Sequence, residues 1–268
     1  QKKKIQEIGK FVIETEASAL SKLASDLPAD FSATIDSILK TTGRVVVSGV
    51  GKSGHVGRKI AATLASTGTP ASFVHATEAS HGDLGMITPN DFCLLISNSG
   101  ETSELYDILA HTRRFGILTA VISSSKNSTL IQAADFKLIL TDAPEACTIG
   151  MAPTTSTILM MALGDALAVA LMEQRDFKPE DFKVLHPGGN LGLQMLTVSQ
   201  LMRNKNGIKK IKYFDIDEAL FEFDKTKVYW RNWCSKTPKY KLYNDEILRS
   251  AITLKLLTYE KTGAVLAA

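Results

Sequence analysis

Apolar residues at positions 5, 8, 12, 19, 20 and 23 recur near the helical period with charged residues between them. This spacing predicts an amphipathic helix that gives out near Pro28. A second helix is expected over residues 31–39, closed by Thr41-Thr42-Gly43. Short apolar runs then recur at 44–48, 72–74, 92–96, 118–122 and 136–140, with helix-like segments between most of them. Such alternation implies crossover connections and a parallel sheet covered on both faces, hence an α/β fold. Ligands of these folds sit at the carboxyl ends of the strands. Residues 49–54, 75–81 and 97–104 each follow a strand end and are expected to gather on one edge. The stretch 158–172 is apolar almost all round, which predicts a buried helix, capped by residues 152–157 and shared between subunits. Gly164 and Asp165 break it, and it is expected to be too short to cross a bilayer.

At 268 residues and 44% hydrophobic content the chain can bury a full core. Its net charge of +3 comes from acids and bases interspersed over most of the length, so no nucleic-acid face is declared. The local exception, the basic run 203–212, reads as a solvated linker. Cys93, Cys147 and Cys234 are far apart and show no CxxC spacing, which points to a reducing compartment and a cytoplasmic protein. Three N-terminal lysines are not followed by an apolar signal core, because Glu7, Lys10, Glu14 and Glu16 interrupt it.

The chemistry concentrates in Ser97-Asn98-Ser99-Gly100-Glu101-Thr102-Ser103-Glu104. Three hydroxyls, Ser97, Ser99 and Thr102, flank a glycine where the amides of the coming helix are still unpaired. Hydroxyls, N–H groups and helix dipole can therefore converge on a phosphate, although an ordinary helix cap uses the same residues. Glu104 would stand one turn away, within reach of a carbon near that phosphate. The turn Gly49-Val50-Gly51-Lys52-Ser53-Gly54 matches GxGxxG, but the acidic residue that a dinucleotide site wants after the next strand is replaced by His75-Ala76. Walker A is excluded because Val46 stands where its first glycine belongs. What survives is a glycine turn offering Lys52 and Ser53 to an anion, or one packed tightly beneath a helix. His75 and His81 lack the i, i+4 spacing of a helical metal pair, so no metal is expected there. Glu145 follows the last strand, and His186 opens the turn-forming His186-Pro187-Gly188-Gly189.

The segments GVGKSGH, EASHGDLGMI, SNSGETSE, PEAC followed by APTTST, and LHPGGNLG occur in one order, and together they resemble the bacterial arabinose-5-phosphate isomerases of the sugar isomerase (SIS) domain family. The resemblance covers roughly residues 5–202. It implies a three-layer sandwich around a five-stranded parallel sheet, and interconversion of ribulose 5-phosphate and arabinose 5-phosphate for synthesis of the lipopolysaccharide sugar Kdo. It implies Lys52, His81, Glu104, Glu145 and His186 as the polar active-site residues, and Ser97, Ser99 and Thr102 as hydroxyls on the substrate phosphate. It further implies a homotetramer with shared active sites and no redox cofactor, and no nucleic-acid or membrane partner is expected. The chemistry suits these residue types: proton transfer between C1 and C2 through a cis-enediol needs a base, an acid and a donor for developing negative charge. Two other readings are a non-catalytic phosphosugar-binding SIS domain and a sister isomerase of hexulose or heptulose phosphates.

Full-length relatives usually continue into paired CBS domains. Here an SIS domain over 1–202 is followed by a linker at 203–213, and residues 214–268 resemble a helical fragment of glucoamylase- and trehalase-like glycoside hydrolases, without that family's catalytic carboxylates.

Overall fold

The computed structural model describes residues 2–185 and 216–235. Two helices lead, α1 (Lys2–Ser25) and α2 (Phe31–Lys40), followed by β1 (Val45–Gly49), α3 (Gly51–Ser66), β2 (Ala71–Phe73) and the one-turn α4 (Ala76–Ala79). Then come β3 (Phe92–Ile96), α5 (Tyr106–Phe115), β4 (Thr119–Ser123), α6 (Thr129–Ala133), β5 (Phe136–Ile139), α7 (Thr155–Gln174) and α8 (Pro179–Leu185). All five strands lie where the apolar runs place them. They form one parallel sheet in the order β2-β1-β3-β4-β5. The fold is thus the expected α/β sandwich.

Strands β1, β3 and β4 are buried along their whole length, which is why they read as unbroken apolar runs rather than as an alternation. Alternate residues feed two separate cores. Val45, Val47, Leu94 and Ile122 face the layer of α1, α2, α3 and α7. Val46, Cys93, Leu95 and Val121 face α4, α5 and α6. Cys93 is sealed in the second core, where burial, and secondarily the charge of Asp91, pushes its thiol pKa up to about 12. Helix α5 buries Ile108, Leu109 and Thr112 on one stripe and ends where Gly116 takes a left-handed φ of 66°.

Helix α7 revises the reading of its sequence. Its 20 residues make it long and apolar enough to cross a membrane by length and composition, which the shorter run 158–172 did not suggest. Half of that span is buried inside the fold, along the line Leu159, Leu163, Leu167 and Leu171. Val169, on the opposite side, is 49% exposed, so all-round burial is not achieved within this chain. The contact with α3 is close: a Cβ on Gly164 would collide with the side chain of Ile60. Gly164→Ala is therefore expected to cost about 1–3 kcal/mol of stability by overpacking, readable as a lower urea midpoint at unchanged slope.

The chain divides into two compact units, Gln1–Leu201 and Met202–Ala268. In the second, the described part is the helix Ile216–Ser235, on which Tyr229, Trp230 and Trp233 stack edge to face with ring centroids 5.6 and 5.8 Å apart.

Candidate active site

A parallel sheet of order 2-1-3-4-5 changes winding direction between β1 and β3, and the crevice outside their carboxyl ends is where such folds bind ligands. The turns at 49–54 and 97–104 leave those two strands. Register pairs Gly49 with Ile96, so the turns start side by side. His75 and His81 follow β2, the neighbour of β1, on the same edge.

The hydroxyl turn is built on its own side chains. Ser97, only 2% exposed, joins Thr102 by a 2.7 Å hydroxyl–hydroxyl bond and accepts the N–H of Gly100 at 3.0 Å. The hydroxyl of Ser99 accepts the N–H of Glu101 at 3.2 Å. The chain then makes a short 3₁₀ turn, Ser103–Leu105, which carries Glu104 just ahead of α5. Gly100 has a φ of 67° and is pressed so tightly on Ser128 that any Cβ would overlap it. The glycine is thus required by backbone conformation and by the neighbouring loop together. Glu104 is exposed, and its one described hydrogen bond comes from the Ser103 hydroxyl at 3.1 Å.

The glycine turn after β1 is packed tightly beneath its helix. A Cβ on Gly54 would press on the carbonyl oxygen of Gly49 at 2.7 Å, so tight packing demands glycine there. Lys52 nonetheless stands exposed in the first turn of α3. Ser53 is half-buried and turns its hydroxyl to the Met160 sulfur of α7 at 3.9 Å, so its described bond is to the core helix rather than to the hydroxyl turn.

His75 caps α4, its Nδ1 accepting the Thr77 N–H at 3.3 Å. His81 is exposed just beyond, and the preceding Ser80 donates its hydroxyl to Asp107 of α5 at 2.6 Å. That bond ties the histidine's segment to the helix that follows the hydroxyl turn.

Glu145 is far from a plain loop carboxylate. It accepts the Thr154 N–H at 2.7 Å, the Thr154 hydroxyl at 3.1 Å, the Ser156 N–H at 3.3 Å and a short bond from the Ser156 hydroxyl. The carboxylate therefore caps α7 from nine residues upstream, where helix dipole and free amides favour an anion. Partial burial pushes its pKa up, but the bonds from Ser156 and Thr154 outweigh burial and hold it below the ordinary carboxylate range. Since the folded value is depressed, the ionised cap adds stability above the unfolded pKa, and this is lost as pH falls through the folded value. Glu145→Ala is expected to cost about 1 kcal/mol at neutral pH, with the gap to the unmodified chain closing on acidification below the usual carboxylate pKa. Thermal unfolding across a pH series checks both parts.

His186 lies outside the described residues; α8 stops at Leu185. What sequence reasoning missed is the loop after β4, Ser123-Ser124-Ser125-Lys126-Asn127-Ser128-Thr129, which leans on the hydroxyl turn from the next strand over. Its density of serines after a strand end was the available signal.

The fold and site thus define a parallel α/β domain with a hydroxyl-rich turn at its sheet switch point and an exposed carboxylate, Glu104, a few residues on. The SIS domain family matches residues 38–170. The Yersinia pestis protein named arabinose 5-phosphate isomerase KdsD is 44% identical over 247 residues, 91% of this chain and 75% of the relative. A match of that length extends past Met202, beyond the boundary read from the motifs. The Escherichia coli O6:H1 protein named arabinose 5-phosphate isomerase KpsF is 50% identical over 191 residues, 70% of this chain and 58% of the relative. Among solved structures, the E. coli CFT073 protein c3406, in complex with arabinose 5-phosphate, superposes with a TM-score of 0.68 at 38% identity, covering 70% of this chain and all of that one. The chain belongs to the SIS-domain family and groups within it with the bacterial arabinose 5-phosphate isomerases.

Proposed function

We propose that this chain is an aldose–ketose isomerase that interconverts D-ribulose 5-phosphate and D-arabinose 5-phosphate, supplying the aldose for Kdo and lipopolysaccharide synthesis. The observation that supports the reading most is the turn 97–104, where the hydroxyls of Ser97, Ser99 and Thr102 and the exposed carboxylate of Glu104 share one short stretch at the switch point of the sheet.

The phosphate is held by Ser99 and Thr102, with Ser97 bracing the turn from below and Ser53 and Lys52 approaching from the first turn of α3. Glu104 is the base. It takes a proton from C1 of the ketose as O2 gains one, which forms the enediol; O1 then loses its proton and C2 gains one, so the formula is unchanged. Lys52 and His81 stabilise the negative charge that develops on the oxygens, and His186 assists the hydroxyl protons. Glu145, ionised and fixed by its four bonds, holds the start of α7 in place at the site. No redox cofactor or metal is invoked. We further propose a cytoplasmic homotetramer with shared active sites, in which the outward side of α7 that carries Val169 is covered by a neighbouring subunit.

Purified protein is expected to convert ribulose 5-phosphate to arabinose 5-phosphate and, in D2O, to place deuterium at C2 of the aldose. Binding of phosphosugar without turnover would instead establish the non-catalytic reading, and preference for a hexulose or heptulose phosphate would establish the sister isomerase. The catalytic unit is taken to end near residue 202, with 203–213 a linker and 214–268 dispensable. Truncation after Met202 is accordingly expected to keep kcat and KM within about twofold, since every proposed site residue precedes the cut. Loss of soluble, active protein would make the tail an integrated part of the enzyme.

A further inference from the structure

An acid inside a phosphate-binding turn has the wrong sign, because its charge opposes the dianion it stands beside. Glu101 is such an acid, one residue from Gly100 and one from Thr102. Its geometry shows both oxygens engaged elsewhere. One accepts the backbone N–H of Thr129, in the β4–α6 connection, at 2.7 Å. The other accepts the Tyr106 hydroxyl, at the start of α5, at 2.9 Å. A single side chain therefore joins the turn to an element on either side of it.

We propose that Glu101 is a positioning residue for phosphate recognition, a latch that holds the hydroxyl turn against the β4–α6 loop and the head of α5 in the shape that receives the phosphate.

The latch completes a seam whose other bonds are backbone or serine bonds. Ser124 N–H and the Ser123 hydroxyl both donate to the carbonyl of Asn98, at 3.1 and 3.0 Å. The Leu130 N–H donates to the carbonyl of Gly100 at 3.1 Å. These fasten the first half of the turn, while Glu101 fastens the second half, where Thr102 and Glu104 emerge. The same bonds hold the Glu101 carboxyl below its ordinary pKa, first through Thr129 and then through Tyr106, so the latch is ionised at neutral pH. Ordering the turn before the ligand arrives removes an entropic cost from binding, so the gain belongs to affinity for the phosphate end and not to the chemical step.

The inference rests on the phosphate reading of the turn, and two separate probes keep them apart: inorganic phosphate by titration calorimetry, and ribulose 5-phosphate kinetics, both on the full chain. Glu101→Asp keeps the charge and shortens the reach by one methylene. It is expected to raise the Kd for phosphate and the KM together by about tenfold, with kcat within about twofold. Tyr106→Phe, which removes one exposed bond, is expected to raise both by about threefold. Glu101→Gln keeps the reach and one acceptor, and is expected to fall between Glu101→Asp and the unmodified chain. Unchanged Kd and KM in Glu101→Asp and Tyr106→Phe overturn the latch, as does tighter phosphate binding in Glu101→Gln alone, which would show the acid to be a repulsive charge only. A fall in kcat at unchanged KM also overturns it. Failure of the unmodified chain to bind phosphate removes the cradle itself, and the latch with it.

Discussion

Glu104→Gln is expected to lower kcat for ribulose 5-phosphate by about 100-fold or more, with the fold and KM little changed. Gln preserves the size and the hydrogen bond with Ser103 but cannot take up a proton. The assignment follows from how differently the two candidate carboxylates are used. Glu145 has its oxygens committed to Thr154 and Ser156, and those bonds favour its ionised form, which lowers its basicity. Glu104 carries one described bond and is exposed at the sheet edge, so an oxygen is open to a substrate. Glu145→Gln should consequently affect stability as well as turnover, whereas Glu104→Gln should affect turnover alone. Single-turnover rates beside thermal unfolding of both variants separate the two roles, and wild-type turnover in Glu104→Gln would reject it as the base.

The second large effect is expected at the phosphate. Ser99→Ala combined with Thr102→Ala should raise KM by about 100-fold or more, because two charge-assisted hydrogen bonds of about 1.5–3 kcal/mol each are lost. Thr102 now spends its hydroxyl on Ser97, and Ser99 spends its own on the Glu101 N–H, so both must turn to meet the ligand. Ser97 is a poorer choice for the test, since its buried hydroxyl also holds the Gly100 N–H, and Ser97→Ala would unsettle the turn itself. An unchanged KM in the double variant would remove the cradle.

Why some of this was readable from the chain and some was not comes down to the range of the interactions. Ser97, Ser99, Thr102 and Glu104 fall within eight residues, and a strand followed by a helix start sets their geometry locally. Lys52 was visible for the same reason, as the first turn of α3 follows β1 directly. Glu145 was nameable as a site residue only through family resemblance. Its actual partners lie nine and eleven residues on, across a loop, and no periodicity announces them. Glu101 was in view from the start but had no stated role, because Thr129 is 28 residues away and meets it only when β3 and β4 pair.

By itself the sequence determined the strands, the parallel α/β class and the edge on which the chemistry collects, since apolar runs of strand length and glycine or hydroxyl turns are local consequences of burial and backbone freedom. Tertiary structure alone decided that α7 is buried along one side and open on the other, that Ser53 turns to Met160, and that Glu145 serves as a helix cap. It also decided that the hydroxyl turn is held from the next strand over. Each of these depends on which strands become neighbours, and that order is set by packing of whole layers rather than by any one stretch of residues.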